Sequence, residues 1–232
     1  MKALGRTFIL LSLLSILVSA LSCSAETATG GEEELDRKVS AFLDKHRYQW
    51  RDLNVPERDG KYLYDLIIEK GYKNALEIGT STGHSAIWIA WALSKTGGKL
   101  ITIEIDEGIY NRAKANFEAA GLSEVIDARL ADAHELVKTL EGPFDFVFCD
   151  ADKGWYTQYF IDVASKLTPG GCFTAHNIPV AREGRGRWGG RYGRGGQRGT
   201  GEFVEYVMGR SDFETILEGT LTTGISLSYK RR

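Results

Sequence analysis

Cysteine is scarce. Cys23, Cys149 and Cys172 are the three in 232 residues, with no Cys-x-x-Cys pair and no Cys/His spacing of the kind a zinc site needs. Three are too few for a disulfide framework, and Cys149 and Cys172 sit inside apolar, strand-like runs, so they read as buried, inert thiols. An excess of one charge is also missing: the formal net charge is -2, which gives no overall basic field for nucleic acid or an anionic membrane. The long apolar run of a membrane span is absent too, because the stretch from Phe8 to Leu21 falls short of the roughly 20 residues that spanning takes. What is present is 43% hydrophobic residues, enough to bury the core of one domain of ordinary size.

The N-terminus reads as a targeting signal over residues 1–25. Lys2 and Arg6 give a positive flank, the apolar run follows, and Ser22, Cys23, Ser24 and Ala25 supply small residues. Two processing routes compete: cleavage after Ala25, or lipidation at Cys23 after Ala20-Leu21-Ser22. Either predicts an exported chain, periplasmic or extracellular, that touches a membrane only through the signal or a lipid anchor. Residues 26–33 are small and polar and read as a linker, leaving 34–232 as the domain.

Beyond Glu34, Val39, Phe42 and Leu43 recur at helical spacing, and Leu63, Leu66 and Ile67 mark a second helix stopped by Gly71. Strand and helix signals then alternate. Strands are expected at Ala75–Ile78, Leu100–Ile105, Val125–Leu130, Phe144–Cys149 and Cys172–Ala175. Helices are expected at Ser85–Leu93, around Ile109, Ala113 and Phe117, at Ala133–Leu140 and at Tyr156–Leu167. A helix around Phe203–Met208 and strands at Phe213–Leu217 and Ile225–Tyr229 close the chain. The rhythm predicts an α/β, Rossmann-like, seven-stranded and mainly parallel sheet with helices on both faces and a C-terminal antiparallel strand pair. Ligands in such sheets bind at the carboxyl ends of the strands.

Residues 182–201 break the rhythm, with six arginines among repeated glycines. A segment with so little to bury reads as a mobile surface loop. It has three readings: a lid over a substrate, a tether for an anionic polymer with Trp188 and Tyr192 available for stacking, or an insertion without a role.

The strongest chemical signal is Leu76-Glu77-Ile78-Gly79-Thr80-Ser81-Thr82-Gly83-His84-Ser85, joining the first strand to its helix. Gly79 and Gly83 let the backbone turn tightly, and the helix that follows offers free N–H groups. At the end of the next strand stands Glu104, where a carboxylate can accept both hydroxyls of a ribose. The pattern is Glu-x-Gly-x-x-x-Gly, not the Gly-x-Gly-x-x-Gly of dinucleotide binders, and it favours S-adenosylmethionine over a nicotinamide cofactor. His46 and His134 read as ordinary helix-surface residues, and His84 as a pocket-lining one.

These motifs, with Thr102-Ile103-Glu104-Ile105-Asp106, Phe144 to Lys153 and Leu167-Thr168-Pro169-Gly170-Gly171, resemble the catechol and caffeoyl-CoA O-methyltransferase family of class I methyltransferases. The likeness runs from Asn54 to the C-terminus. It implies that Glu77, Gly79, Thr80, Ser81 and Gly83 form the cofactor loop and that Ser85 meets the methionine carboxylate. It further implies that Glu104 holds the ribose, that Asp132 and Ala133 flank the adenine, and that Asp150 is both a cofactor-side residue and a metal ligand. Lys153 would be the general base. The family places Asp-Asn after the fifth strand as metal ligands, whereas this chain has His176-Asn177. Imidazole suits a transition ion better than Mg²⁺, so His176 is open to two readings, as a ligand with Asp150 and Asn177 or as a base.

The function expected is S-adenosylmethionine-dependent methylation of a hydroxyl on a small aromatic acceptor. Two alternatives stand beside it: a non-catalytic nucleoside-binding module of the same fold, and an RNA-modifying methyltransferase using the Arg/Gly segment. The expected partners are a small-molecule substrate and a second copy of the chain as a homodimer, with no nucleic acid.

Overall fold

The structure is a computed structural model that describes residues 30–50, 53–178, 180 and 194–232. The signal segment, Cys23 and most of the Arg/Gly segment lie outside the described residues. Among the described residues no helix is long and apolar enough to cross a membrane.

Strands β1 (Asn74–Ile78), β2 (Lys99–Glu104), β3 (Ile126–Leu130), β4 (Phe144–Cys149), β5 (Leu167–His176), β6 (Phe213–Glu218) and β7 (Ile225–Lys230) form one sheet in the order β3-β2-β1-β4-β5-β7-β6. The first five run parallel, and β7 pairs antiparallel with both β5 and β6. This is the predicted architecture, with β7 slotted between β5 and β6. Strand order reverses between β1 and β4, which opens a crevice at their carboxyl ends.

The central strands read as nearly continuous apolar runs because helices cover both faces. On one face lie α1 (30–46), α2 (Glu57–Lys70), α3 (His84–Thr96) and α4 (Glu107–Ala120), whose Val39, Leu63, Ile87 and Phe117 join one core cluster. On the other lie α5 (Ala133–Thr139), α6 (Tyr156–Ala164) and α7 (Arg194–Met208), which bury Val137, Phe160 and Phe203. Each turn has a local cause. Gly71, Gly97 and Gly121 end α2, α3 and α4 in the left-handed conformation that glycine adopts without strain. Asp106 and Asp132 open α4 and α5 by accepting from the amides of Ile109 and His134.

Three expected boundaries move. Helix α1 begins at residue 30, inside the stretch read as linker, since small polar residues can join a helix whose later turns bury Val39 and Phe42. Helix α6 ends at Ala164, and Leu167 already pairs with Phe144, so β5 starts before Pro169-Gly170-Gly171 with a register shift. The loop expected over 182–201 is helical from Arg194, as the front of α7. Buried Phe203 and Val207 anchor that helix from its far end.

Candidate active site

A cavity of about 670 Å³ opens at the carboxyl ends of β1, β2, β4 and β5. Of the expected site residues it is lined by Gly79, Ser81, Glu104, Asp132, Ala133, Asp150, Lys153, His176 and Asn177. Asp152, His134, Tyr159 and Thr223 also line it, as do Leu53 and Asn54 from the segment before α2.

On the β1–β2 side the carboxylate of Glu104 is aimed by the backbone. Oε2 accepts from the Ser81 amide at 2.8 Å, and Oε1 from the amides of Ile105 and Asp106 at 3.0 Å each. Ser81 reaches that position through a left-handed backbone, φ 49°. Gly79, at φ 96°, has no room for a side chain, because a Cβ would stand 2.8 Å from the Asp150 carbonyl oxygen. This glycine thus lets β1 and β4 close on each other at the edge of the cavity it lines.

Glu77, Thr80, Gly83 and Ser85 do not line the cavity. Glu77 lies fully buried beneath the loop, where Thr102 donates to Oε2 at 2.5 Å. Burial raises its pKa to about 8, the Ser85 and Thr102 hydroxyls offsetting part of the effect. A neutral carboxyl under the loop resolves the cost of placing a charge there. Thr80 continues the same chain of hydroxyls, 2.5 Å from Thr102 Oγ1. The Phe117 ring occupies the space beside Gly83.

On the β4–β5 side Asp150 is the hub. Its Oδ1 lies 2.5 Å from Lys153 Nζ and its Oδ2 3.0 Å from His176 Nδ1. Lys153 also donates to the Tyr156 hydroxyl at 2.8 Å. The other ring nitrogen, His176 Nε2, stands 2.9 Å from Oδ2 of Asp59, a fully buried residue of α2. Asp59 in turn accepts from the Thr222 amide at 3.0 Å and the Thr223 hydroxyl at 3.1 Å. Both ring nitrogens face carboxylates, so the ring donates twice and is a cation. Burial alone would depress its pKa, but Asp150 and then Asp59 outweigh it and raise it to about 9. Burial likewise opposes ionisation of Asp150, yet His176 and Lys153 hold its pKa below the ordinary carboxylate value.

The expectations for His84 and His134 change. His84 lies away from the main cavity: its Nδ1 donates to the Val55 carbonyl at 2.8 Å, its Nε2 accepts from Trp88 at 3.1 Å, and its ring stacks on Trp50. Burial lowers its pKa to about 4. His134, expected on the surface, lines the cavity, stacked on Trp155 with ring centroids 3.8 Å apart and bonded to Asp152 at 3.2 Å.

Asp59, Thr223 and Tyr156 were not singled out in the sequence as site residues. Asp59 reads there as an acidic residue in the first turn of a helix, favourable on its own account, and nothing local ties it to a histidine 117 positions away.

A parallel sheet with a ligand-sized crevice at its switch point and an acidic residue ending the second strand defines a class of nucleoside-binding α/β enzymes. The chain belongs to the O-methyltransferase family, whose model matches residues 25–180. A catechol O-methyltransferase of Niastella koreensis is 39% identical over 130 residues, covering 54% of this chain and 58% of that protein. This chain thus spans less than two thirds of that curated relative. Among solved structures, the O-methyltransferase TomG of Streptomyces achromogenes, in complex with SAM and involved in tomaymycin synthesis, is 27% identical with a TM-score of 0.68, covering 84% of this chain and 90% of that one. An O-methyltransferase of Bacillus cereus in complex with SAH is 26% identical with a TM-score of 0.67, covering 85% and 90%.

Proposed function

We propose that the protein transfers a methyl group from S-adenosylmethionine to a hydroxyl of a small aromatic acceptor. The observation that carries this is one cavity with two unlike ends: a carboxylate held by three backbone amides at Glu104, and the Asp150–Lys153 ion pair across the switch point.

The residues present fit the cofactor. Glu104 keeps one acceptor place, on Oε2, for a ribose hydroxyl, because each oxygen of a carboxylate can accept two hydrogen bonds and backbone amides take three of the four places. Ile105 and Ala133 offer apolar surface for an adenine beside Asp132, whose Oδ1 already caps α5. The cavity volume lies within the roughly 300–1,000 Å³ of small-ligand sites. When bound, S-adenosylmethionine supplies an electrophilic methyl on a sulfonium centre.

The protein's part is alignment and a deprotonated oxygen. A phenol with a pKa near about 10 is mostly protonated at neutral pH, so its proton needs an acceptor in the cavity. Lys153 Nζ is placed to take it once the ammonium has released its own proton to solvent, and the ion pair with Asp150 at 2.5 Å is the arrangement the lysine returns to on doing so. Tyr156, whose hydroxyl burial keeps protonated, supports that nitrogen from below. The Arg/Gly segment meets this turn at Gly199, where a Cβ would stand 2.3 Å from the Lys153 carbonyl oxygen. The described front of α7 is therefore packed on the site, which favours a substrate-side role over an RNA tether.

Calorimetry with S-adenosylmethionine, followed by detection of S-adenosylhomocysteine on adding a catechol, tests the reading. Glu104→Ala should weaken cofactor binding by about 1–3 kcal/mol, and unchanged affinity would remove Glu104 from the site. Lys153→Met should lower kcat by about 10²–10⁴ with the cofactor Kd unchanged, and an unchanged kcat would exclude it as the base.

A further inference from the structure

We propose that the transfer runs without a divalent metal, because the ring of His176, bonded through one nitrogen to Asp59 and through the other to Asp150, fills the place where a metal cation would sit. The inference rests on the methyltransferase reading above.

The donor atoms that would hold a metal are already spent. Asp150, the carboxylate a cation would need first, gives Oδ1 to Lys153 and Oδ2 to His176. Both nitrogens of the histidine are taken up by protein partners, Nδ1 by Asp150 at 3.0 Å and Nε2 by Asp59 at 2.9 Å, so neither is presented to a cation. Freeing Nδ1 would break the contact with Asp150, and Nε2 faces Asp59, which has no exposed surface. Asn177 adds only a neutral amide to the expected set. Among the described residues no three His, Cys, Asp or Glu side chains are grouped to hold a metal ion.

The surroundings of Asp59 give the positive half of the argument. A carboxylate with no exposure is stable only beside a cation and enough donors. Asp59 has the Thr222 amide, the Thr223 hydroxyl and, as its cationic partner, His176. Three distant segments, α2, the end of β5 and the turn before β7, thus converge on one imidazole. The two carboxylates are matched by His176 and Lys153. The residues do not fit the metal that the family resemblance implies, and they fit a built-in organic cation.

The test is calorimetric titration of the metal-stripped full chain with Mn²⁺, with and without S-adenosylmethionine. No one-to-one Mn²⁺ binding is expected in the unaltered chain, whereas His176→Asp, which installs a hard oxygen beside Asp150, should bind Mn²⁺ at least about tenfold more tightly. A stoichiometric Mn²⁺ site in the unaltered chain that disappears in Asp150→Asn overturns the proposal, and this pair decides the matter even where His176→Asp does not fold. Methyl transfer to a catechol should persist within about twofold in excess chelator, given a cation supplied by the protein itself. A loss restored by Mn²⁺ would equally overturn it. Failure of the methyltransferase reading shows separately, as absent heat with S-adenosylmethionine alone.

Discussion

His84 and His176 are hidden alike, with 3% and 2% of their surface exposed, and they carry different charges. At the head of α3, His84 meets a carbonyl, an indole N–H and the face of Trp50; none of these is charged, and one donates to it. At the end of β5, His176 meets two carboxylates. Desolvation acts on both and depresses both, but only at His176 do partners override it. The neutral ring serves as packing, joining the segment before α2 to α3. The charged one serves as an ionic tie across the mouth of the cavity.

The comparison breaks most sharply on removing the charged ring. His176→Phe keeps an aromatic of similar shape and leaves Asp59 and Asp150 facing each other in a buried site. Stripping one partner from a buried ion pair costs about 3–5 kcal/mol, so a clear fall in the urea midpoint is expected. Adding Asp59→Asn to that variant should recover much of the loss. A variant as stable as the parent would mean that the carboxylates are already neutral and the cation superfluous.

His84 should show itself through pH. Its folded pKa, about 4, lies below the ordinary value of 6.5. The folded state therefore binds the proton more weakly than the unfolded chain, and stability rises with pH wherever the unfolded state holds more protons. The contribution is complete above pH 6.5 and is lost as pH falls toward 4. A difference of two to three pH units corresponds to about 3 kcal/mol at the acid end. Denaturation midpoints of the parent and of His84→Gln, measured from pH 7 to pH 4, should diverge at neutral pH and converge on acidification. Parallel curves would mean that the ring is reached by water and titrates normally.

The two histidines also mark where reading the sequence succeeds. The alternation of apolar runs with helical spacing located all seven strands, because each element records its own burial in its own residues. The Glu104 end of the cavity was legible for the same reason: glycine turn, strand and acidic residue lie within about thirty positions. The His176 end was not. Its partners come from α2 and from the turn before β7, and the pairing of Asp59 with His176 exists only once the sheet has brought residues 117 apart together. His84, within the glycine motif itself, was taken for a pocket residue because the motif does not say which way a helix's first side chain turns. Here it turns toward Trp50.

The smallest expected effect tests how much of the ionic tie is charge and how much is hydrogen bonding. The Thr223 hydroxyl lies 3.1 Å from Asp59 Oδ2 and 2.6 Å from His176 Nε2, touching both members of the pair. Because the ring donates through Nε2, the hydroxyl proton goes to Asp59, and the threonine adds a donor to a carboxylate that already has a cationic partner. Thr223→Val removes that donor while keeping shape, and one hydrogen bond of this kind contributes about 1–2 kcal/mol. The tie should survive, with a modest drop in the urea midpoint that Thr223→Ser largely reverses. A loss as large as that of His176→Phe would show that Asp59 depends on its hydroxyl as much as on its cation. No loss at all would show that the ionic pair satisfies Asp59 alone, which would sharpen the contrast with His84, where every contact is neutral.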